Sequence, residues 1–475
     1  MKWPVFIGLM LQPLYADTLI IGTHGSPDSF KIERERVVVE SVKAFSQNAP
    51  VTVLFNDGDD RRYDAFDWDQ EVPKSPLSYL FGDHSAPKIF RNHLLSNAKT
   101  ANVETVNKSL DQLFKREPGT DNWLVVVGDS QTEVDDAPPK LTLWNAQPYN
   151  LDGFKQAANQ KLGKVRTRYF FDFCGAQTLH SLATPITFAE PAESCGFATY
   201  NVSQAYEGCK VSAARPNALE FAHDNATLWL SAMENNAFET NKLMHNPDLD
   251  GDQTITPFEA HWYALSYGVN EAIPVASSEH FLDLWGGAFV PLIPSTTQLP
   301  PNDYGELAES IALRIGFGNS AESIKEARAE RAVIEDQLAE TDQKMAEAAA
   351  EQATLAAEIR KEILRSWPEL ESPYSTRYLQ TMLIDGQMVY QAATNHRSYP
   401  DMINARLTYR ALQNQRDELL EKAAQIDKLF RVRHLSRQYD WLYKLGSDAD
   451  IKRYESLRLC ESLPLSKSDT TISKE

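Results

Sequence analysis

Cys174 stands at the end of an aromatic and apolar run, where a thiol is well placed to act as a nucleophile. The run RYFFDF covers residues 168–173, and Gly175 follows the cysteine. A buried strand that ends in a cysteine presents the thiol at the edge of a sheet, and the backbone N–H of Gly175 is placed to stabilise an oxyanion. The alternative is one more buried thiol without a chemical role.

A reactive cysteine needs a base or a cation that favours its thiolate. His24 follows the apolar run IIGT, and Asp129 follows the run VVVG. His24 is the best candidate for the general base, and Asp129 could hold its ring in a Cys-His-Asp set. The alternative is that His24 makes only a turn contact, and Asp129 alone would oppose ionisation of the thiol.

The segment DLDGDQTITPFE, residues 248–259, has the spacing of an EF-hand-type calcium loop. Asp248, Asp250 and Asp252 occupy its first, third and fifth positions. Thr254 would offer its backbone carbonyl at the seventh position, and Glu259 both carboxylate oxygens at the twelfth. Six to eight oxygens around one ion suit Ca²⁺, so the sequence predicts a structural calcium site.

This loop departs from the usual pattern at two positions. Gln253 stands where a glycine normally makes the sharp turn, and Pro247 interrupts the entering helix. A second loop of this kind is missing from the sequence. The alternative to a calcium site is therefore a solvated acidic turn.

Composition narrows the class of partner and the compartment. The chain has 475 residues, with 47 basic and 66 acidic residues and a net charge of −19, which opposes binding to nucleic acid. The first residues, MKWPVFIGLMLQPLYADT, predict a short signal peptide with Ala16 at the cleavage point, and hence export to a periplasmic or extracellular space. The sequence has no later run of ~20 apolar residues, so no membrane span is predicted.

Four cysteines are too few for a disulfide scaffold or a cysteine-rich zinc site. Cys195 and Cys209 flank one short segment and could pair in an oxidising compartment, which would leave Cys174 reduced. The sequence does not decide whether they pair.

The elements that must position these residues alternate between strands and helices. Apolar runs within 17–25, 49–60, 122–133 and 168–173 predict buried strands, and the segments before the last three have helical periodicity. Such alternation predicts a mainly parallel sheet covered on both faces. In such sheets the catalytic and binding residues lie at the carboxyl ends of the strands, and His24, Asp129 and Cys174 all fall at such ends.

The last third of the chain has a different composition, rich in Ala, Glu, Lys and Arg. A heptad stripe runs along 322–364, and its members are Ile324, Leu338, Met345 and Ile359, with Ala327, Ile334, Ala348 and Leu355 beside them. A second long amphipathic segment follows Pro368. These segments predict an antiparallel helical hairpin or bundle, with self-association through the helices as the alternative.

The order of these elements resembles that of the caspase-like cysteine peptidases, legumain in particular. The segment TLIIGTHGSPDSFKIERERVVVESVKAF is similar to the first strand, turn and helix of that family, and VTVLFNDGDD to its second strand. FATYNVSQAY lies where the family has a strand and turn that line the first specificity pocket. The resemblance implies a caspase-like three-layer α/β sandwich and cysteine endopeptidase activity on a protein or peptide substrate.

The sequence departs from this family at the general base. The family has a His-Gly pair at the end of the third strand, where this chain has Asp129 and Ser130. His24 could replace the missing base, because the first and third strands are neighbours in the sheet of the family. The alternative is a catalytically inactive, calcium-binding interaction protein with the same fold.

Together these patterns divide the chain into successive parts, which are a signal peptide (1–16), a caspase-like α/β domain (17–235), a helix–loop–helix with the calcium loop (236–290), a proline-rich linker (291–318), an α-helical C-terminal domain (319–460) and a disordered tail (461–475).

Overall fold

A computed structural model describes residues 17–25, 32–47, 49–58, 65–68, 77–81, 88–114, 121–128, 130–131, 140–150, 166–173, 175–183, 194–199, 224–234, 243, 245–286, 298–318, 320–372 and 376–465. The predicted signal peptide, Asp129, Cys174 and Cys209 lie outside the described residues. Within these ranges, none of the helices combines the length and the apolar character that crossing a membrane requires.

The strands of the described residues are β1 (Thr18–Thr23), β2 (Val51–Phe55), β3 (Ala65–Trp68), β4 (Lys88–Arg91), β5 (Asp121–Gly128), β6 (Ser130–Gln131), β7 (Lys140–Leu143), β8 (Gln147–Asn150), β9 (Arg166–Asp172), β10 (Ser194–Ala198) and β11 (Val275–Ala276). Six of them form the central sheet in the order β11-β10-β9-β5-β1-β2. All neighbours in this sheet are parallel except β10 and β11, which are antiparallel. The predicted mainly parallel sheet is confirmed.

The central strands are buried over almost their whole length because both faces of the sheet are covered. All six residues of β1 are buried, as are the last seven of β5. Two smaller antiparallel sheets, β3-β4 and β6-β7-β8, lie in the connections between central strands.

The α-helices of the described residues are α1 (Ile32–Ser46), α2 (Ser78–Phe81), α3 (Val103–Phe114), α4 (Asn225–Met233), α5 (Pro257–Tyr267), α6 (Ser277–Gly286), α7 (Asp303–Arg314), α8 (Ala321–Ser366), α9 (Thr376–Thr394), α10 (Tyr399–Leu445) and α11 (Asp448–Glu461). Short 3₁₀ turns cover Trp144–Ala146, Ala176–Leu182 and Pro368–Glu371. Helix α8 ends just before Pro368, as predicted, because proline cannot donate the next helical hydrogen bond.

Helices lie on both faces of the sheet and give three layers. Trp123 of β5 contacts Phe45 of α1 and Trp229 of α4, with ring centroids 5.1 and 6.1 Å apart. Val126 is three residues further along β5, so its side chain points to the other face. There it lines a small apolar cleft together with Leu110 of α3. The chain is therefore an α/β protein with a helical C-terminal region.

The heptad stripe of α8 packs within the chain, as the predicted helical hairpin requires. Ion pairs join Arg331 to Asp427 and Asp342 to Arg416, so residue numbers fall on α10 as they rise on α8, and the two helices are antiparallel. The stripe residues with buried side chains are Ile324, Ala327, Ile334, Ala348 and Ile359.

The C-terminal helices belong to the same core as the sheet. Helix α7 lies inside the stretch predicted as a linker, but its Tyr304, Ala308 and Ile311 are buried in the main core. Residues 461–475 were predicted as a disordered tail, and 461–465 are described. In that part Glu461 is buried, and Arg168 of β9 donates hydrogen bonds to the carbonyl oxygens of Leu463 and Pro464. Residues 466–475 lie outside the described residues.

A disulfide bond joins Cys195 of β10 to Cys460 of α11, across 265 residues of sequence. This corrects the pairing of Cys195 with Cys209 that the sequence allowed. The bonded cysteines are distant in sequence because α11 packs against β10 and brings Cys460 to Cys195.

Candidate functional site

The carboxyl ends of three neighbouring strands form the first candidate site. In the sheet, β5 lies between β1 and β9, with Thr23 opposite Gly128 and Val127 opposite Asp172. His24 follows β1, and Gly175 lies three residues after the end of β9. The described residues therefore bring His24 and Gly175 to one edge of the sheet, while Asp129 and Cys174 lie outside them.

His24 is enclosed at this edge. Its side chain is 0% exposed, and its backbone N–H donates to Oδ1 of Asn56 at 3.2 Å. Phe55, at the end of β2, meets the imidazole ring edge-on with the ring centroids 6.5 Å apart. A base in this position would reach a substrate only after the edge opened.

Gly175 makes the turn that follows β9. Its φ of +76° lies in the left-handed region, and it precedes the 3₁₀ turn Ala176–Leu182. Gly175 is buried. The glycine therefore serves a sharp change of chain direction, which a residue with a Cβ would adopt only with strain.

Asp172, the last residue of β9, links this strand to α1 and to the residue that follows β10. Its carboxylate forms an ion pair with Arg34 of α1 and accepts a hydrogen bond from Oγ1 of Thr199 at 2.6 Å. Burial, with the neighbouring charge of Asp172, raises the pKa of Asp224 to about 7. Two carboxyl groups and one guanidinium thus share this part of the edge.

The spacing of the strands limits what His24 can do. Adjacent strands lie about 4.8 Å apart, so the ends of β1 and β9 are separated by about 9–10 Å. A Cys-His pair would therefore form only if the imidazole after β1 and a thiol after β9 both extended across the end of β5 to reach hydrogen-bond distance.

His180 is buried between two strands of the central sheet. Its Nδ1 lies 2.9 Å from the hydroxyl of Tyr169, and its Nε2 lies 3.0 Å from the carbonyl oxygen of Val275. Burial, with the nearby His280, lowers the pKa of His180 well below its ordinary value. The ring is a neutral link between β9 and β11.

The acidic loop brings three of its predicted ligands together. Asp248, Asp250 and Asp252 each offer a carboxylate oxygen, and these oxygens lie within 4.8 Å of one another. Asp248 accepts from the N–H groups of Gly251 and Gln253, at 2.8 and 3.0 Å. The turns of the loop are therefore closed by the same carboxylates that would bind a cation.

Thr254 and Glu259 are the two remaining predicted ligands. The N–H of Thr254 donates to Asp252 Oδ1 at 2.7 Å. Glu259 does not belong to the aspartate cluster. Its Oε1 accepts from the N–H of Leu249 at 2.9 Å and its Oε2 from the N–H of Thr256 at 2.8 Å, which makes a capping box at the start of α5.

Gln253 takes the backbone conformation that a glycine usually supplies at this position. Its φ is +69°, in the left-handed region, and Gly251 has a φ of +76°. Gln253 therefore makes the left-handed turn itself and bears the conformational cost that a Cβ imposes there.

Sequence reasoning missed a group of buried polar residues at the start of α6. Glu461 accepts hydrogen bonds from the N–H of Ser278 at 2.7 Å and the hydroxyl of Ser277 at 2.6 Å, and so caps this helix from α11. His261 of α5 pairs with Glu279 at 3.1 Å, and both are buried. In the sequence these charged residues stand singly on amphipathic helices, where charged side chains usually face solvent. No local pattern therefore indicated that they are buried together.

Comparisons with models of protein families, with curated proteins and with solved structures found no match to this chain.

Proposed function

We propose that this chain is an exported calcium-binding protein on a caspase-like α/β domain, and that the loop 248–259 holds one Ca²⁺. The observation that carries the proposal is the convergence of Asp248, Asp250 and Asp252 within 4.8 Å of one another. Three carboxylates at this distance repel one another, and a divalent cation relieves that repulsion.

The remaining ligands are the carbonyl oxygen of Thr254 and the carboxylate of Glu259. Each oxygen of Glu259 already accepts two hydrogen bonds, Oε1 from the N–H groups of Leu249 and Asp250 and Oε2 from the N–H and the hydroxyl of Thr256. A metal ion would therefore bind Glu259 in place of some of these donors. Because Glu259 also begins α5, a bound ion would fix the helix and the loop together.

Export agrees with this proposal in two ways. The disulfide between Cys195 and Cys460 is typical of a protein from an oxidising compartment. Calcium is abundant outside the cytosol, so a loop of modest affinity would be occupied there.

Calorimetric titration with CaCl₂ tests the site, with thermal melting as a second measurement. The protein should release or take up heat with one ion per chain and melt at a higher temperature in Ca²⁺ than in EDTA. The double variant Asp250→Asn/Asp252→Asn should lose both effects, whereas Glu326→Gln, an exposed acid on α8, should keep them. Neither heat nor a melting shift in the unmodified protein would contradict calcium binding.

A second candidate function is cysteine endopeptidase activity, with Cys174 as nucleophile and His24 as general base. The observation that favours it is the shared edge, where β1, β5 and β9 lie side by side in that order. In this proposal Asp129 orients His24 and the N–H of Gly175 contributes to the oxyanion hole. The burial of His24 favours the alternative, a non-catalytic interaction protein of the same fold.

The rate of alkylation by iodoacetamide separates these two functions. It is measured on the Cys174 peptide by mass spectrometry in a Cys209→Ser background, since Cys195 and Cys460 are bonded to each other. A peptidase should react faster than a free thiol near neutral pH, and His24→Ala should abolish the excess while His396→Ala keeps it. A slow rate that His24→Ala leaves unchanged would exclude the peptidase and support the interaction protein.

A further inference from the structure

Histidines from four elements meet at α6. His280 belongs to α6 itself, and the other three come from the turn after β9, from α5 and from α10, namely His180, His261 and His434. The last two lie beside carboxylates of α6, since His261 pairs with Glu279 at 3.1 Å and His434 lies 4.0 Å from Asp283. In contrast, the rings of His180 and His280 face each other with their centroids 5.4 Å apart. We call these two residues the histidine pair.

The hydrogen bonds of His180 fix the position of its ring proton. The carbonyl oxygen of Val275 can only accept, so Nε2, which lies 3.0 Å away, carries the proton. Nδ1 therefore accepts from the hydroxyl of Tyr169 at 2.9 Å. A second proton on the ring would turn Nδ1 into a donor, and the Tyr169 hydroxyl could no longer donate to it.

His180 connects the turn Ala176–Leu182 to its surroundings. The turn begins directly after Gly175, at the edge of the sheet that also holds His24. Among the described residues, His180 is the side chain of this turn that hydrogen-bonds to the sheet, through Tyr169 of β9 and Val275 of β11. Arg453 of α11 holds the end of the turn by donating to the carbonyl oxygen of Ala183.

The carboxylates near the histidine pair are engaged with other cations. Asp283 accepts from both terminal nitrogens of Arg431, at 2.6 and 2.7 Å. Glu279 pairs with His261, and Glu461 of α11 accepts from Ser277 and Ser278 at the start of α6. Protons on the histidine pair would therefore add positive charge to a region where the negative charges already have partners.

Burial is the main cause that opposes protonation of the pair. It lowers the pKa of His180 well below its ordinary value, and the neighbouring His280, His261 and Arg431 lower it further. Burial also lowers the pKa of His280, where Asp283 acts in the opposite direction and Arg431 in the same one. Both rings are therefore neutral in the folded chain at neutral pH.

We propose that the histidine pair is an acid-sensitive latch, which holds the turn Ala176–Leu182 on the sheet and on α6 while both rings are neutral and loosens it when they gain protons. Two imidazolium rings at this distance repel each other, and His180 also loses the hydrogen bond from Tyr169. Because the turn starts at Gly175, its loosening changes the edge of the sheet near His24. The latch depends neither on calcium binding nor on the chemistry of Cys174.

The sign of the pH dependence follows from these shifts. In a loosened turn both histidines titrate near the ordinary value of 6.5, and in the closed turn they titrate below it. The closed turn is therefore most stable above pH 6.5, and each histidine raises the equilibrium constant for opening by up to about tenfold for each pH unit below that value. Glu461 acts in the opposite direction, because burial raises its pKa. Variants are therefore needed to separate the histidine pair from Glu461.

Hydrogen exchange of the full chain at about pH 7 and pH 5, measured by mass spectrometry, tests the latch. The protection factor, which is the intrinsic exchange rate divided by the observed rate, removes the direct effect of pH on the exchange reaction. In the peptide 176–183, the N–H groups of Thr178 and Ala183 are hydrogen-bonded within the turn. Their protection factors should fall by roughly tenfold or more at the lower pH.

Glutamine variants identify the groups that titrate. Glutamine can donate and accept as a neutral histidine does, but it does not gain a proton. His180→Gln and His280→Gln should each reduce the fall in protection by roughly threefold or more. His396→Gln is the matched control, because His396 lies between α9 and α10 and pairs with Glu362, and it should leave the fall unchanged.

Three results overturn the latch. They are a turn with the same protection factors at both pH values, an equal fall in the unmodified protein and both glutamine variants, and a fall of the same size along α8, which would report unfolding of the whole chain. If circular dichroism shows that His180→Gln does not fold, His280→Gln decides, because His280 is only half-buried.

Discussion

Lys428 of α10 is an amine enclosed by the fold. Its side chain is 1% exposed, and Nζ donates to the carbonyl oxygen of Gly268 at 2.7 Å and to Oδ1 of Asn225 at 3.1 Å. Burial, helped by the positive charge of Arg314, lowers the pKa of Lys428 from 10.5 to about 7. Protonation of Lys428 is therefore less favourable in the folded chain than in the unfolded chain.

The sign of the pH dependence follows from that shift. Between pH 7 and pH 10.5 the unfolded chain holds a proton on Lys428 that the folded chain has lost, so the free energy of unfolding rises with pH. The slope from this group approaches 1.4 kcal/mol per pH unit. Urea unfolding at pH 7 and pH 9 should show that Lys428→Met removes about 2 kcal/mol of the rise. Lys422→Met, an exposed lysine on the same helix, should leave the rise unchanged, and an equal effect of both variants would contradict the assignment.

The Arg34–Asp172 ion pair joins α1 to the end of β9. Asp172→Asn removes the carboxylate that pairs with the buried Arg34 guanidinium, which should lower the free energy of unfolding by about 3 kcal/mol. Glu40→Gln breaks the exposed pair with Lys43 on the same helix and should cost less than about 1 kcal/mol. If urea unfolding showed equal losses of free energy for the two variants, the buried pair would contribute no more stability than the surface pair.

At the scale of elements, the left-handed conformation of Gln253 in the loop 248–259 should lower the free energy of unfolding. A left-handed residue with a Cβ is disfavoured by about 1 kcal/mol, so Gln253→Gly should stabilise the protein by a few tenths to 1 kcal/mol once the entropy of glycine is subtracted. Gln253→Asn should be close to neutral, and the β-branched Gln253→Val should destabilise by about 1–2 kcal/mol. Urea unfolding in saturating Ca²⁺ measures the series, and a valine variant as stable as the glycine variant would contradict the loop geometry.

Elements with strong periodicity were predictable, and contacts between distant elements were not. The run TLIIGT was predictable as a buried strand because consecutive apolar residues are closed by a glycine and a polar residue, and Ile324 to Ile359 marked the packed face of α8 by spacing alone. Asp248, Asp250 and Asp252 were predictable as a cluster because a short loop brings alternate residues to one side. Cys460 and Glu461 gave no such signal, since their partners on β10 and α6 lie more than 180 residues away.

At the scale of the whole molecule, the sheet and the C-terminal helices form one unit joined by polar contacts as well as by a core. Arg431 of α10 donates to both carboxylate oxygens of Asp283 on α6, at 2.6 and 2.7 Å. Arg453 of α11 donates to the carbonyl oxygen of Ala183, after the turn that follows β9. These links join the last helices to α6 and to the segment after β9, so a truncation before α10 would expose buried groups on both sides.

The disulfide between Cys195 and Cys460 should supply a large share of the stability of this unit. It closes a loop of 265 residues, and the entropy removed from an unfolded chain by such a loop corresponds to at most about 5 kcal/mol. Unfolding in urea with and without a reductant should show a loss of this order, because both cysteines are buried and the bond breaks only as the chain opens. The double variant Cys195→Ala/Cys460→Ala should be less stable than the oxidised protein and indifferent to the reductant. If that variant matched the oxidised protein, the packing of α11 against β10 would hold the C-terminus without the bond.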